Sequence, residues 1–124
     1  MSSLNPKPEK TRINGVEYGI YFPLRAVDTI QDKYDITINA MQTYFNDQRK
    51  CNKFLAFVLE TLIAEANDLI KEQTGAEPAG VTAEYIYKRI LPLERVKAID
   101  DVYKAFASGA PELDGDAGPN AEGV

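Results

Sequence analysis

The sequence predicts a predominantly α-helical α+β fold: an N-terminal β-hairpin followed by about five helices in one small domain. Three observations carry this reading. Arg12 to Phe22 reads as a tight two-stranded ribbon. The chain from Pro23 to Ala107 places apolar residues at helical spacing, punctuated by Pro and Gly. The whole length, 124 residues, is enough for one domain with a single core.

The ribbon centres on Asn14-Gly15, a pair that tolerates positive φ at both central positions of a type I′ turn. Beyond it Val16, Tyr18, Ile20 and Phe22 alternate with Glu17, Gly19 and Tyr21, so the first four are expected to face inward. Pro23 cannot donate to a strand ladder and suits the first turn of a helix.

The first helix is expected from Pro23, with Leu24, Val27, Ile30 and Tyr34 inward and Asp35 breaking the pattern and capping the next helix. A short second helix, about Thr37 to Asn46, would bury Met41, Tyr44 and Phe45. The third, about Lys50 to Gln73, is the longest. Cys51, Leu55, Val58, Leu59, Leu62, Ala66 and Leu69 form its stripe, with Phe54, Ile63 and Ile70 beside it. Gly75 stands at the position of a C-terminal cap, and Thr82 at that of an N-cap for a fourth helix through Ile90, with Ala83, Ile86 and Ile90 inward. Pro92 opens the fifth, where Leu93, Val96, Ile99, Tyr103 and Phe106 are the expected inward stripe and Gly109 the stop.

Both ends differ from this body. Residues 1–10 read as a flexible N-terminus, with Pro6 and Pro8 among polar residues. Residues 108–124 read as a disordered acidic tail: Glu112, Asp114, Asp116 and Glu122 stand there without a Lys or Arg, among Gly and Pro. That tail supplies most of the net charge of −5, leaving residues 11–107 close to neutral. The chain as a whole gives no electrostatic reason to bind nucleic acid. No segment approaches the ~20 apolar residues of a membrane span, and Met1 to Pro6 does not have the form of a signal peptide. The lone Cys51 fits a reducing cytosol and excludes an intrachain disulfide.

The residue inventory argues against an enzyme. There is no histidine, the commonest general base and a common metal ligand. Phosphate-binding Gly-rich loops and Gly-x-Ser-x-Gly are missing. Glu72 with Glu77, or Asp100 with Asp101, could be an acid/base couple, but both read more simply as solvated charge. Asp114-Gly115-Asp116 lacks the later ligands of a calcium loop. Cys51 lies on the apolar face of the third helix and reads as a small core residue. No cofactor and no metal site is expected.

Surplus aromatic surface is the remaining signal. Phe57 lies about 140° from the centre of the third helix's stripe, on a back face with Lys53, Glu60 and Asn67. Either it is exposed, or the helix is central and covered all round. Tyr85 lies off the Ile86–Ile90 face, and Tyr21 on the polar side of the ribbon. Tyr21, Phe57 and Tyr85 are therefore the candidate partner-binding residues.

The order of elements resembles a known family. Ile13-Asn14-Gly15-Val16-Glu17-Tyr18 leads through a strand to Leu24-x-x-Val27-x-x-Ile30-Gln31-Asp32-Lys33-Tyr34. Then come a long helix with Leu55-x-x-Val58-Leu59-x-x-Leu62-Ile63, a Val81-Thr82-x-Glu84 helix start and a last helix ending in Ala105-Phe106. Over residues 11–107 this is similar to the tail assembly chaperones of long-tailed bacteriophages, particularly those of prophages in Gram-positive hosts. Tyr85 stands where the family usually has a second acidic residue. The resemblance implies a chaperone without enzymatic activity that binds the phage tape measure protein and keeps it soluble in the host cytoplasm during tail assembly. It also implies self-association and absence from the mature virion. A longer frameshifted form would join at the acidic tail. It supplies no agreed functional residues.

Two other readings stand beside it. One is a structural tail or neck completion protein retained in the particle. The other is a small helical nucleic-acid-binding regulator using Lys88, Arg89, Arg95 and Lys97.

Overall fold

Positive φ at Asn14 (52°) and Gly15 (81°) reverses the chain between two strands. Strand β1 (Glu9–Ile13) and strand β2 (Val16–Ile20) pair antiparallel, with Ile13 opposite Val16 and Glu9 opposite Ile20. This is the two-residue hairpin that Asn-Gly favours. The computed structural model describes residues 7–109. The first strand begins at Glu9, inside the stretch 1–10 expected to be flexible, and the last helix runs through Ser108 to Gly109. The rest of the expected acidic tail, residues 110–124, and residues 1–6 lie outside the described residues.

Five α-helices come after the hairpin: α1 (Leu24–Tyr34), α2 (Met41–Asn46), α3 (Cys51–Thr74), α4 (Ala83–Arg89) and α5 (Pro92–Gly109). A 3-10 turn, Ile38–Ala40, runs directly into α2. The fold class is thus α+β and predominantly helical, as the sequence predicts. Local chemistry sets most of the ends. Gly75 closes α3 in the left-handed region, its N–H bonded to the Lys71 carbonyl. The Thr82 hydroxyl accepts the Tyr85 N–H at 3.1 Å and starts α4. Asp35 caps the end of α1 in the left-handed region rather than opening the next element, a role that Thr37 takes.

Helix α3 is the hub. Strand β2 and helices α1, α2 and α4 pack on it, while α5 packs chiefly on β1. The ribbon therefore lies between α3 and α5. At 24 residues, α3 buries Phe54, Leu55, Val58, Leu59, Leu62 and Ile63, and also Ala56 and Thr61 outside the expected stripe. The rings of Tyr34, Tyr44 and Phe45 gather on Phe54 at 4.9, 4.7 and 5.0 Å, pinning α1 and α2 to the start of α3. Each such pair adds about 0.5–1.5 kcal/mol beyond its buried area.

The ribbon departs from the simple alternation. Ile20 and Phe22 are buried and Tyr18 half-buried, but Val16 at the tip is exposed. Alternation would turn Gly19 toward solvent. It instead lies against α3, where an added Cβ would come within 3.5 Å of the Ala66 Cβ and 3.3 Å of the Pro8 Cβ. The extension of β2 also meets α3 by its edge, since the Tyr21 N–H donates to the Leu62 carbonyl at 3.1 Å. That bond gives a partner to an N–H the hairpin leaves unpaired.

Two helices turn differently from expectation. In α1 the buried residues are Ala26 and Ile30, and Leu24 is exposed. In α5 the buried face is Ala98, Asp101, Val102 and Ala105, while Leu93 and Val96 stand in solvent. At 100° per residue that face lies roughly 130° round from Leu93. Small residues win because they let α5 approach β1 closely. Glu94, on the same side, accepts the Asn14 and Gly15 N–H groups at 2.7 and 2.8 Å and fixes the helix's rotation. Ile99, Tyr103 and Phe106 remain as half-buried flanks, the Phe106 ring 5.2 Å from that of Phe22.

Candidate functional site

Tyr21 just after β2, Phe57 on α3 and Tyr85 on α4 are each half-buried. Each lines a depression along one side of α3. The Phe57 cleft, about 500 Å3, lies between α1 and the connection from α3 to α4, with Ala64, Thr61 and Val81 in its walls and Glu60 at its rim. Tyr85 borders a second hollow with Thr82, which shares Gly80 and Val81 with the first. Tyr21 borders a third, about 280 Å3, with Pro23, Leu69 and Glu72, which shares Arg25 and Glu65 with the first. The three aromatic residues therefore border adjoining hollows that together make a segmented groove.

Phe57 owes its place to α1. The Tyr34 ring meets it edge-on at 5.7 Å, and the Lys33 ammonium lies 5.6 Å from its centroid. Helix α3 is thus largely covered on this side too, and Phe57 offers the cleft one part of its ring. Tyr85 sits near Tyr18: partial burial first, and then the neighbouring Tyr85, push the Tyr18 phenol above its ordinary pKa.

Arg25 divides the groove. Its guanidinium makes a bidentate pair with Glu65 at 2.8 and 2.9 Å and reaches Asp68 at 3.2 Å. These bonds, with Glu65 first, hold the arginine charged well beyond its usual range. The clamp joins α1 to α3 and sets a fixed polar crossbar in a groove whose lining also includes Thr29, Glu60, Thr61 and Glu72. The sequence shows Arg25 on the polar face of α1 and Glu65 and Asp68 one turn apart on α3, but their convergence depends on how the helices pack. Gly80 and Val81 are equally hidden in the sequence, because loop residues carry no periodic signal.

The candidate acid/base pairs separate. Asp100 pairs with Lys104 at 3.3 Å and Asp101 with Lys97 at 2.6 Å, while Glu77 pairs with Lys71 at 3.1 Å. Cys51 is buried at the start of α3, its sulfur 3.7 Å from an Arg95 nitrogen. Among the described residues no group of three or more acidic or Cys side chains is placed to hold a metal, and no helix is long and apolar enough to cross a membrane. What the groove can do chemically is bind: apolar walls take apolar side chains, and the carboxylates with Arg25 orient a polar backbone or side chain.

Comparison with protein-family models, with curated proteins and with solved structures finds no match, so the functional reading rests on the residues themselves.

Proposed function

We propose that the chain is a non-enzymatic tail assembly chaperone of a long-tailed phage or prophage, which binds the tape measure protein in the host cytoplasm and keeps it soluble. The observation that carries this is the set of adjoining hollows bordered by Phe57, Tyr85 and Tyr21, with Val81 and Ala64 in their walls and Arg25 between two of them. A long apolar helix presents side chains at i, i+3, i+4 and i+7, which suits a groove with separate hollows in a row. The sequence resemblance over residues 11–107 supplies the identity of that helix. Self-association and release before the virion is complete belong to the same proposal.

Co-expression with a tape measure fragment tests it. The fragment is expected to move into the soluble fraction and to co-purify with the chain. Replacing Phe57 and Tyr85 together by serine is expected to weaken capture about tenfold, the equivalent of ~1.4 kcal/mol, with helical content retained. A fragment that stays insoluble and is not retained by the folded wild-type chain would overturn the proposal.

A further inference from the structure

Apart from Leu24 on α1, the exposed large apolar side chains among the described residues gather where α4 hands over to α5 and at the hairpin tip. Leu93 is 85 % exposed and Val96 60 %, one turn apart on the outer face of α5. Leu91 in the connection, Tyr87 on α4 and Val16 at the hairpin tip are each about half exposed. Glu94 draws these elements together: its carboxylate accepts N–H groups from Leu91 at 3.0 Å, Asn14 at 2.7 Å and Gly15 at 2.8 Å. The hairpin tip and the start of α5 therefore form one rigid corner. Isolated exposed apolar residues need no explanation, but a cluster held on a fixed frame marks a contact surface.

The charges around this corner are uneven. The Lys53 ammonium lies 5.7 Å from the Tyr87 centroid. Arg95, between Leu93 and Val96, bonds the Asn52 side chain at 3.3 Å. Neither of these cations, nor Arg89 at the end of α4, has a carboxylate partner among the described residues. The nearby carboxylates are largely engaged: Glu84 pairs with Lys88 at 3.0 Å and Glu94 is taken up by backbone N–H groups. Glu17, next to Val16 and opposite Arg12, is the exposed exception.

We infer that this corner docks an amphipathic helix of a partner protein whose apolar stripe is flanked by acidic residues. Leu93 and Val96 form a ridge at i, i+3 that a second helix can pack against. Lys53, Arg89 and Arg95 then face the partner's carboxylates at the rim, where charge selects the partner and speeds its approach. Leu93 and Val96 do not line the groove, and Lys53, one turn before Phe57 on α3, stands between the two surfaces.

Fluorescence anisotropy with two labelled synthetic helices tests the inference on the full chain. Both peptides carry the same leucine stripe, one flanked by glutamates and the other by lysines. Saturable binding of the glutamate peptide is expected, weakening as salt rises, with the lysine peptide at least about tenfold weaker. Replacing Leu93 and Val96 by serine, at positions that contribute little to the core, is expected to abolish the signal. The double change Lys53→Glu with Arg89→Glu is expected to reverse the preference. Absence of binding, equal binding of both peptides, or indifference to the Leu93 and Val96 changes overturns the inference. So does a wild-type dimer that those two changes split in sedimentation, or displacement by a peptide of residues 110–124, since either assigns the corner to this chain itself.

Discussion

Glu94 decides how the ribbon is joined to the last helix. Partial burial works to raise its carboxyl, but the N–H groups of Leu91, Gly15 and Asn14 and the charge of Arg12 outweigh that and hold its pKa below the ordinary value. A carboxyl whose pKa is lower when folded stabilises the fold fully above the unfolded value, near ~4.3. The contribution is lost as pH falls through the lower folded value. Glu94→Gln removes the charge and turns one acceptor into a donor facing other donors. The expected loss at neutral pH is about 1–2 kcal/mol, at the low end of charged hydrogen bonds because water reaches the site. Urea denaturation at pH 7 and at pH 3 checks both parts. The variant should be weaker at pH 7 and lose less than the wild type on acidification. An unchanged pH difference would show that Glu94 does not bind the tip to α5.

Helix α5 shows how far element-level reading of the sequence reaches. The helix runs through Gly109, the last described residue, and its start at Pro92 follows from local chemistry and is correct. Its rotation is not, because counting large apolar residues favours Leu93 and Val96, while packing against β1 favours Ala98, Val102 and Ala105 with Glu94 as the tie. The hairpin turn, the Gly75 and Thr82 caps and the α3 core are legible for the same reason as the α5 start: each depends on neighbours in sequence. Gly19 against Ala66, Arg25 against Glu65 and the Val81 wall of the groove are long-range pairings without a periodic trace. The rotation of α5 makes a sharp contrast. Leu93→Ser should change stability by less than about 0.5 kcal/mol, as an exposed substitution does. Val102→Ser, at a fully buried position, should cost about 2–4 kcal/mol from lost burial and an inserted hydroxyl. Thermal or urea melts of the two variants give the order directly, and the reverse order would restore the expected Leu93–Val96 face.

At the scale of the molecule, every described strand and α-helix except α5 makes its main contacts with α3 or with a partner strand on it, and α5 is tied to that strand pair. A hub of this kind couples the hairpin to the helices, because β2 loses its cover once α3 leaves and β1 is then held by α5 alone. A two-stranded ribbon alone is marginal in water. Unfolding is therefore expected in one transition, with far-UV ellipticity and the near-UV tyrosine band changing together. The near-UV band reports the ring cluster on Phe54, where Tyr34 and Tyr44 pack. Leu59 is fully buried in the middle of α3, and Leu59→Ala should cost about 2–5 kcal/mol, a large share of the ~5–15 kcal/mol typical of a domain. That loss should move both signals by the same amount, with the urea slope unchanged because the surface exposed on unfolding is the same. If the ellipticity midpoint shifts while the tyrosine band holds, α3 is two independent segments rather than one hub, and the groove along it loses its rigid floor.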